Sequence, residues 1–313
     1  MPSNTYNVKQ RSYATSRFAV QIDGQDITAF VKNVEGGLVK TDAVEEKAGV
    51  ANFPQKHAGT RSVEPLTLDI GMCRNSWVLE KVSTCINSKK HERFSGQIDY
   101  VDANYGARFT HQFTRALITE IGFPTFDPTA KDAAYIKLKL QPETADFDVA
   151  SGGKIQTTSF AEQKLWQPNA FYLEIERGGD KIDCSKVTKI EAMTVKVGTK
   201  PGPQGPRQLP AYLPTTVQMP KLSIHLPLHG AESAIKWYRE AVAATQSLKS
   251  DSTGYEATGA LVLLDASRKE ELYRITFDGL GPELVTIVKG EGGSTNLKTC
   301  KLDMYVTSMK LGS

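Results

Sequence analysis

Hydrophobic and polar residues alternate along several short stretches of the chain, and the same order of stretches occurs twice. Phe18, Val20 and Ile22 alternate with Arg17, Ala19 and Gln21, and this period of two predicts a β-strand with one buried face. Phe171-Tyr-Leu-Glu-Ile175 opens the second half in a similar way. Further predicted strands lie at 31–40, 64–71, 97–103, 107–118 and 134–141, with counterparts at 187–196, 221–227, 260–266, 271–278 and 297–308.

One stretch in each half has helical periodicity instead. The apolar residues that recur at helical spacing are Trp77, Val78, Val82, Cys85 and Ile86 in the first half, and Ile235, Trp237, Tyr238, Val242 and Leu248 in the second. This spacing predicts one amphipathic helix in each half, with a tryptophan in both.

A long polar segment follows the 31–40 stretch in each half. Residues 41–60 are mostly polar, and residues 198–212 contain four prolines. Prolines at this density exclude a helix and a central strand. Both segments are therefore predicted to be loops or exposed extended arms.

Repetition over the whole chain predicts two domains of one fold. We expect the first domain at 1–148, a linker at 149–169 and the second domain at 170–313. Strands that surround a single helix, without alternation of strands and helices, favour an antiparallel sandwich or barrel. The predicted fold class is mainly β (α+β), with two tandem antiparallel β-barrel or sandwich domains and one flanking helix in each.

The charge balance, the lengths of the apolar runs and the spacing of the cysteines argue against several classes of protein. The chain has 313 residues, a formal net charge of +3 and four cysteines. Acidic and basic residues are nearly balanced in each half, which argues against a nucleic-acid-binding protein. No apolar run approaches membrane-spanning length, the polar N-terminus does not predict a secretory signal, and the scattered cysteines do not predict a disulfide framework.

Motifs for catalysis or metal binding are weak. His225 and His229 have helical ligand spacing, but Pro227 lies between them in a predicted strand. The glycine-rich stretch 290–293 lacks the lysine and hydroxyl residue of a phosphate-binding loop. No Gly-x-Ser-x-Gly motif occurs. We therefore expect no enzymatic activity, no cofactor and no metal.

The order of these segments resembles the phage tail tube protein family. That family includes the inner-tube proteins of contractile injection systems and shares its fold with haemolysin-coregulated proteins. The segments that carry the resemblance are the opening Arg17–Gly24, then Phe30–Gly37, the charged Glu45–Gly49, Leu66–Leu68, the helix with Trp77, the hairpin with Asp102 and the final alternating strand. The second half keeps 187–191, 222–224, Trp237 and Asp265.

The resemblance implies a structural protein that assembles into stacked rings and forms the inner conduit of a phage tail or phage-like injection device. It implies that the long loops reach a neighbouring ring, with Glu45, Glu46, Lys47, Lys56, Lys200 and Arg207 as candidate contact residues. Expected partners are further copies of the chain, sheath and baseplate proteins, and DNA or effector cargo that passes without sequence-specific binding. The expected location is a virion tail or injection particle assembled in the cytoplasm of a bacterial host, without membrane contact.

Several alternatives stay open. Three chains complete a six-domain ring if both domains form its wall, whereas six chains are needed if one domain decorates the outside. The protein could also form a single ring that starts or ends the tube, or act as a partner-binding accessory module of such a device.

Overall fold

The computed structural model describes residues 18–46, 55–73, 77–88, 90–102, 106–150, 153–154, 166–202, 210–246, 252–287 and 298–312. The first half contains strands β1 (Phe18–Ile22), β2 (Gln25–Asp26), β3 (Val31–Gly36), β4 (Val39–Glu46), β5 (Gln55–Val63) and β6 (Leu66–Gly71), helix α1 (Trp77–Ser88), and strands β7 (Arg93–Val101), β8 (Ala107–Phe123), β9 (Tyr135–Gln141) and β10 (Thr144–Val149).

The second half follows the same plan. It contains strands β11 (Phe171–Arg177), β12 (Asp180–Ile182), β13 (Lys189–Ile190), β14 (Met193–Pro201), β15 (Tyr212–Gln218) and β16 (Leu222–Pro227), helix α2 (Glu232–Gln246), and strands β17 (Ala257–Leu264), β18 (Glu271–Ile287) and β19 (Thr299–Gly312). The predicted mainly β fold with one helix in each half is confirmed.

Strand order is the same in the two halves. The first sheet runs β2-β1-β7-β8-β9-β6-β3, and the second runs β12-β11-β17-β18-β19-β16-β13, all antiparallel. Strand β19 corresponds to β9 and β10 together, since β9 and β10 both pair with β8 as β19 pairs with β18. This repeated order agrees with the predicted duplication, which stays a prediction about the origin and independence of the two units.

Each helix covers one sheet with its apolar side. In α1 the buried residues are Val78, Leu79, Val82, Cys85 and Ile86, which recur at the three- and four-residue spacing of one helix face. In α2, Trp237 is buried and its indole Nε1 donates a hydrogen bond to the Tyr255 carbonyl oxygen at 2.7 Å. The burial of these faces orients both helices on their sheets.

The predicted strand at 31–40 is interrupted. Strand β3 ends at Gly36 and β4 begins at Val39, because Gly36 and Gly37 have φ angles of 77° and 84°. A Cβ atom on Gly36 would lie 2.4 Å from the Pro65 carbonyl oxygen. Only glycine fits this turn, and the turn separates the hairpin of β4 and β5 from the main sheet.

Part of the predicted linker packs against the fold. Trp166 is buried, its backbone N–H donates to the Met72 carbonyl oxygen at 2.8 Å, and its own carbonyl oxygen accepts from Ala134 at 2.8 Å. Its ring lies 5.6 Å from that of Tyr273, between centroids. The chain is thus anchored before the second half begins; residues 151–152 and 155–165 lie outside the described residues.

Candidate assembly surfaces

A β-ladder joins the two halves of the chain. The end of β8 pairs with the start of β14 in antiparallel register, from Met193 opposite Phe123 to Lys196 opposite Glu120. Phe123, Ile121, Met193 and Val195 are all buried at this joint. Because β14 also pairs with β15, the second half's hairpin extends the first half's sheet.

Charged side chains support the same joint. Arg93 of the first half donates from Nη2 to the Tyr212 carbonyl oxygen of β15 at 2.6 Å and forms an ion pair with Glu143. Arg115 also contacts Glu143, with Nε 2.7 Å from Oε2. The carboxylate of Glu143 is buried, so two arginines compensate the cost of its desolvation. Arg93 thereby ties the second half's hairpin to the first half.

Helix α1 forms a further contact between the halves. The Asn87 amide donates from Nδ2 to the Leu311 carbonyl oxygen at 2.7 Å and accepts the Leu311 N–H on Oδ1 at 2.8 Å. The Ser83 hydroxyl donates to the same carbonyl oxygen at 3.0 Å. These bonds replace those that a neighbouring strand would give to the end of β19, and they fix the helix of one half against the sheet of the other.

The β4–β5 hairpin has the same internal register as the β14–β15 hairpin. Thr41 faces Arg61 as Val197 faces Val217, and both hairpins have an irregularity at the next position. Yet β4 and β5 form a two-stranded sheet by themselves, and among the described residues no third strand pairs with them. The first half therefore presents an unpaired version of the hairpin that the second half uses.

Strand β18 presents the complementary free edge. It has 17 residues, as does β8, and Gly259 faces Phe277 as Gly96 faces Phe113. Residues 284–287 therefore correspond to 120–123. In the described part of the chain, 284–287 pair on one side with β19, and no strand lies on the side where β8 meets β14.

Side chains at the paired strand ends are buried, whereas those at the equivalent unpaired ends are exposed to solvent. Phe123 is 2% exposed, whereas its counterpart Ile287 is 62% exposed, and Leu284 is 48% exposed. On the hairpin, Val195 is fully buried, whereas its counterpart Val39 is 42% exposed. Apolar strand ends of this kind are typical of sites for strand pairing with another chain.

Four of the six residues predicted as contacts lie on the two hairpins. Glu45 and Glu46 are on β4, Lys56 is on β5, and Lys200 is on β14. Lys56 pairs with Glu45 at 2.7 Å on the exposed surface. Lys47 and Arg207 lie outside the described residues. Inter-ring contact by these side chains stays a prediction.

Sequence reasoning missed the free strand ends themselves. The sequence pattern does not distinguish residues 38–40 and 284–286 from the rest of their strands, although the internal repeat identifies the positions that are equivalent to the joint within the chain. What distinguishes them is a difference between two equivalent pairs of strand ends. The ends of β8 and β14 pair with each other within the chain, whereas the equivalent ends of β18 and β4 have no strand partner among the described residues.

Other chemistry is sparse in the residues that the structure describes. No group of three or more His, Cys, Asp or Glu side chains there could hold a metal ion. No helix among the described residues is long and apolar enough to cross a membrane. All four cysteines are buried, and none of them forms a disulfide.

Residues 14–146 match the model of the T4-like virus tail tube protein gp19 family. No curated protein matches the chain.

Several solved structures are similar to part of the chain. A chain of the PVC sheath–tube complex, an extracellular contractile injection system in its extended state, is 22% identical with a TM-score of 0.40 and spans 45% of this chain and 95% of its own length. A chain of the anti-feeding prophage cap is 20% identical with a TM-score of 0.42 and spans 48% of this chain and 100% of its own. Hcp1 from Flavobacterium johnsoniae is 11% identical with a TM-score of 0.26 and spans 45% of this chain and 94% of its own.

The family match covers the sheet, helix and unpaired hairpin of the first half, and it confirms the resemblance drawn from the order of segments. The likeness to the T4-like virus tail tube protein gp19 family is therefore shown for residues 14–146, which make up less than half of the chain.

Proposed function

We propose that this protein is a structural, non-catalytic subunit that assembles side by side into rings, which stack into the inner tube of a phage tail or phage-like contractile injection system. The ladder between β8 and β14 is the observation that carries this proposal. It joins two units of the same strand order edge to edge inside one chain. Among the described residues, no third strand pairs with the β4–β5 hairpin and none pairs with the outer side of 284–287, so the two units together have one open joint at each side, as a repeating wall requires.

We propose that residues 1–148 and 170–313 are two domains of one fold and that both contribute to the ring wall. The tail tube resemblance implies a six-domain ring, so three chains complete it. A second domain that decorated the outside would leave the first domain's edge free for the next chain. In this protein the edge at 120–123 is already occupied by β14, which favours three chains over six.

The conduit has no role for a cofactor. We propose that DNA or effector proteins pass through it without sequence-specific binding, and that sheath and baseplate proteins contact its outside and its end. The location is then a virion tail or an injection particle, assembled in the cytoplasm of a bacterial host.

Stacking of rings is assigned to the hairpin tips. Glu45 and Glu46 on one hairpin and Lys200 on the other are exposed and oppositely charged, so a tip of one ring has a complementary partner in the next. Replacing the residues between Glu45 and Lys56 with a two-residue turn should leave single rings intact and block their stacking. Normal tubes from this variant would reject the assignment.

Electron microscopy of the purified protein at increasing concentration tests the proposal. Stacked rings or tubes with a central channel are the expected result. Isolated rings that never stack would assign the protein to the start or end of a tube. Particles that stay monomeric at every concentration would contradict self-assembly and favour an accessory module.

A further inference from the structure

The joint between the halves of one chain also specifies the joint between two chains. We propose that residues 38–40 of one copy pair in antiparallel register with residues 284–286 of the next copy, with Val39 opposite Val285. This inference rests on the proposed function and adds the strand ends, their register and the side chains that accompany them.

The register follows from equivalent positions. Within the chain, Val195 lies opposite Ile121. The hairpin registers make Val39 the counterpart of Val195, and the registers of β8 and β18 make Val285 the counterpart of Ile121. A shift by one residue would turn every side chain to the other face of the sheet. The apolar positions therefore exclude a shift by one residue, and equivalence with the internal joint selects Val39 opposite Val285.

Several exposed apolar side chains lie on the elements that this pairing would bring together. In the first half these are Leu38 and Val39 at the start of β4 and Phe147 and Val149 on β10, and in the second half they are Val242 on α2 and Leu284 and Ile287 on β18. These make up most of the large hydrophobic side chains that are exposed among the described residues. Assembly would remove these apolar side chains from water, which favours the pairing.

The helix contact is repeated with a different chemistry. Position 147 on β10 corresponds to Leu311 on β19, which α1 binds through Ser83 and Asn87. On the free face, Phe147 is 46% exposed, and α2 presents the exposed Val242. An exposed aromatic side chain therefore stands where the internal joint has a backbone contact with α1, and we expect α2 of the neighbouring copy to cover it.

Charge complementarity points to the same neighbour. Arg93, which binds the backbone of Tyr212 across the internal joint, corresponds to Glu256 in the second half. Tyr212 corresponds to Lys56. The joint between chains therefore brings an acidic side chain of one copy towards a basic side chain of the next. Lys56 would then contact Glu256 of the next chain in the same ring, and not a chain of a neighbouring ring.

Disulfide trapping tests the register. Residues opposite each other in an antiparallel pair have Cα atoms about 4.5 to 5.5 Å apart, within the range of a disulfide. Val39→Cys with Val285→Cys should give cross-linked species of two and three chains on a non-reducing gel after mild oxidation, with no larger closed product. The native thiols are buried, so they do not contribute.

Matched controls distinguish the register from random collision. Leu38→Cys with Val285→Cys shifts the pair by one residue and should cross-link at least tenfold less. Val195→Cys with Ile121→Cys should form its disulfide within one chain, and each single variant should give no ladder above two chains. The cysteine variants should form rings under reducing conditions, which shows that they fold.

The outcomes separate this inference from the proposed function. Rings in the microscope without the 39–285 cross-link, or with an equal yield from the shifted pair, would overturn the strand pairing and leave the ring-forming function in place. If the protein forms neither rings nor cross-links, both the strand pairing and the ring-forming function are overturned.

A charge reversal is a second measurement. Glu256→Lys should weaken ring formation, and adding Lys56→Glu should restore it. Failure of that rescue would reject the charge contact.

Discussion

Truncation of equivalent side chains at the closed and open strand ends should have opposite effects on a single chain and on the assembly. Phe123→Ala removes a ring that is 2% exposed, at the end of β8 opposite Met193. Ile287→Ala removes a side chain that is 62% exposed, at the same place in β18. The two positions share backbone structure, so each variant is the matched control of the other.

The expected magnitudes follow from burial. A phenylalanine deleted from a packed interior costs about 3–5 kcal/mol, which includes the cavity left behind. An isoleucine that is mostly exposed in the single chain should cost less than about 1 kcal/mol there. Ile287→Ala should instead weaken association between chains, since assembly buries that side chain.

Urea denaturation at a concentration low enough to keep chains separate measures the first effect. Tryptophan fluorescence is a suitable signal, because Trp166 lies against Tyr273 where the two halves meet. The concentration at which rings form measures the second effect. Equal loss of stability in the two variants, or a loss below about 1 kcal/mol for Phe123→Ala, would refute the view that one end is closed and the other open.

Three further predictions concern the described interior. Burial lowers the pKa of His111, which donates from Nε2 to the Gly37 carbonyl oxygen at 3.0 Å; since the unfolded chain then binds the extra proton, stability should fall as pH drops from about 6.5 towards the lowered pKa. His111→Gln should reduce this pH dependence in urea titrations. Asn87→Ala should cost about 1–3 kcal/mol, because the Leu311 N–H loses its acceptor and the Leu311 carbonyl oxygen keeps only the Ser83 hydroxyl as a donor from α1; an unchanged urea midpoint would contradict that role. Burial raises the pKa of Cys184 to about 12 and that of Cys85 to about 11, so a thiol reagent at pH 8 should react only after denaturation; rapid labelling of folded protein would contradict their burial.

Most strands and both helices could be predicted from the sequence because their apolar faces have a clear period. The alternation at Phe18, Val20 and Ile22 exists because one face of β1 is buried and the other is not. The β4–β5 hairpin has no such alternation of apolar and polar residues. Strand β4 is exposed on all of its residues, so its pattern resembles a loop, and only the hydrogen bonds to β5 make it a strand.

Strand ends were harder to predict where glycine and proline occur in a strand. The sequence predicts that the 271–278 strand ends before Gly279, but β18 continues to Ile287 through a bulge, with Gly279 at a φ of 63°. Arg115 occupies the equivalent place in β8 with a φ of 51°. At a bulge the strand pairing continues, although the residues at that position predict the end of a strand.

The surfaces for assembly depend on non-local pairing. Nothing near Met193 in the sequence indicates that it will face Phe123, since this contact depends on how two sheets meet. The internal repeat is the one sequence feature that bears on it, because a repeated unit with one occupied edge implies an equivalent edge elsewhere.

The number of chains in one ring tests the central claim most directly. Native mass spectrometry of rings isolated before stacking would measure it, with cryo-electron microscopy to trace the wall. Three chains are expected, with six domains joined alternately by the ladder between 193–196 and 120–123 and by the ladder between 38–40 and 284–286. A ring of six chains, with second domains outside the wall, would contradict that claim.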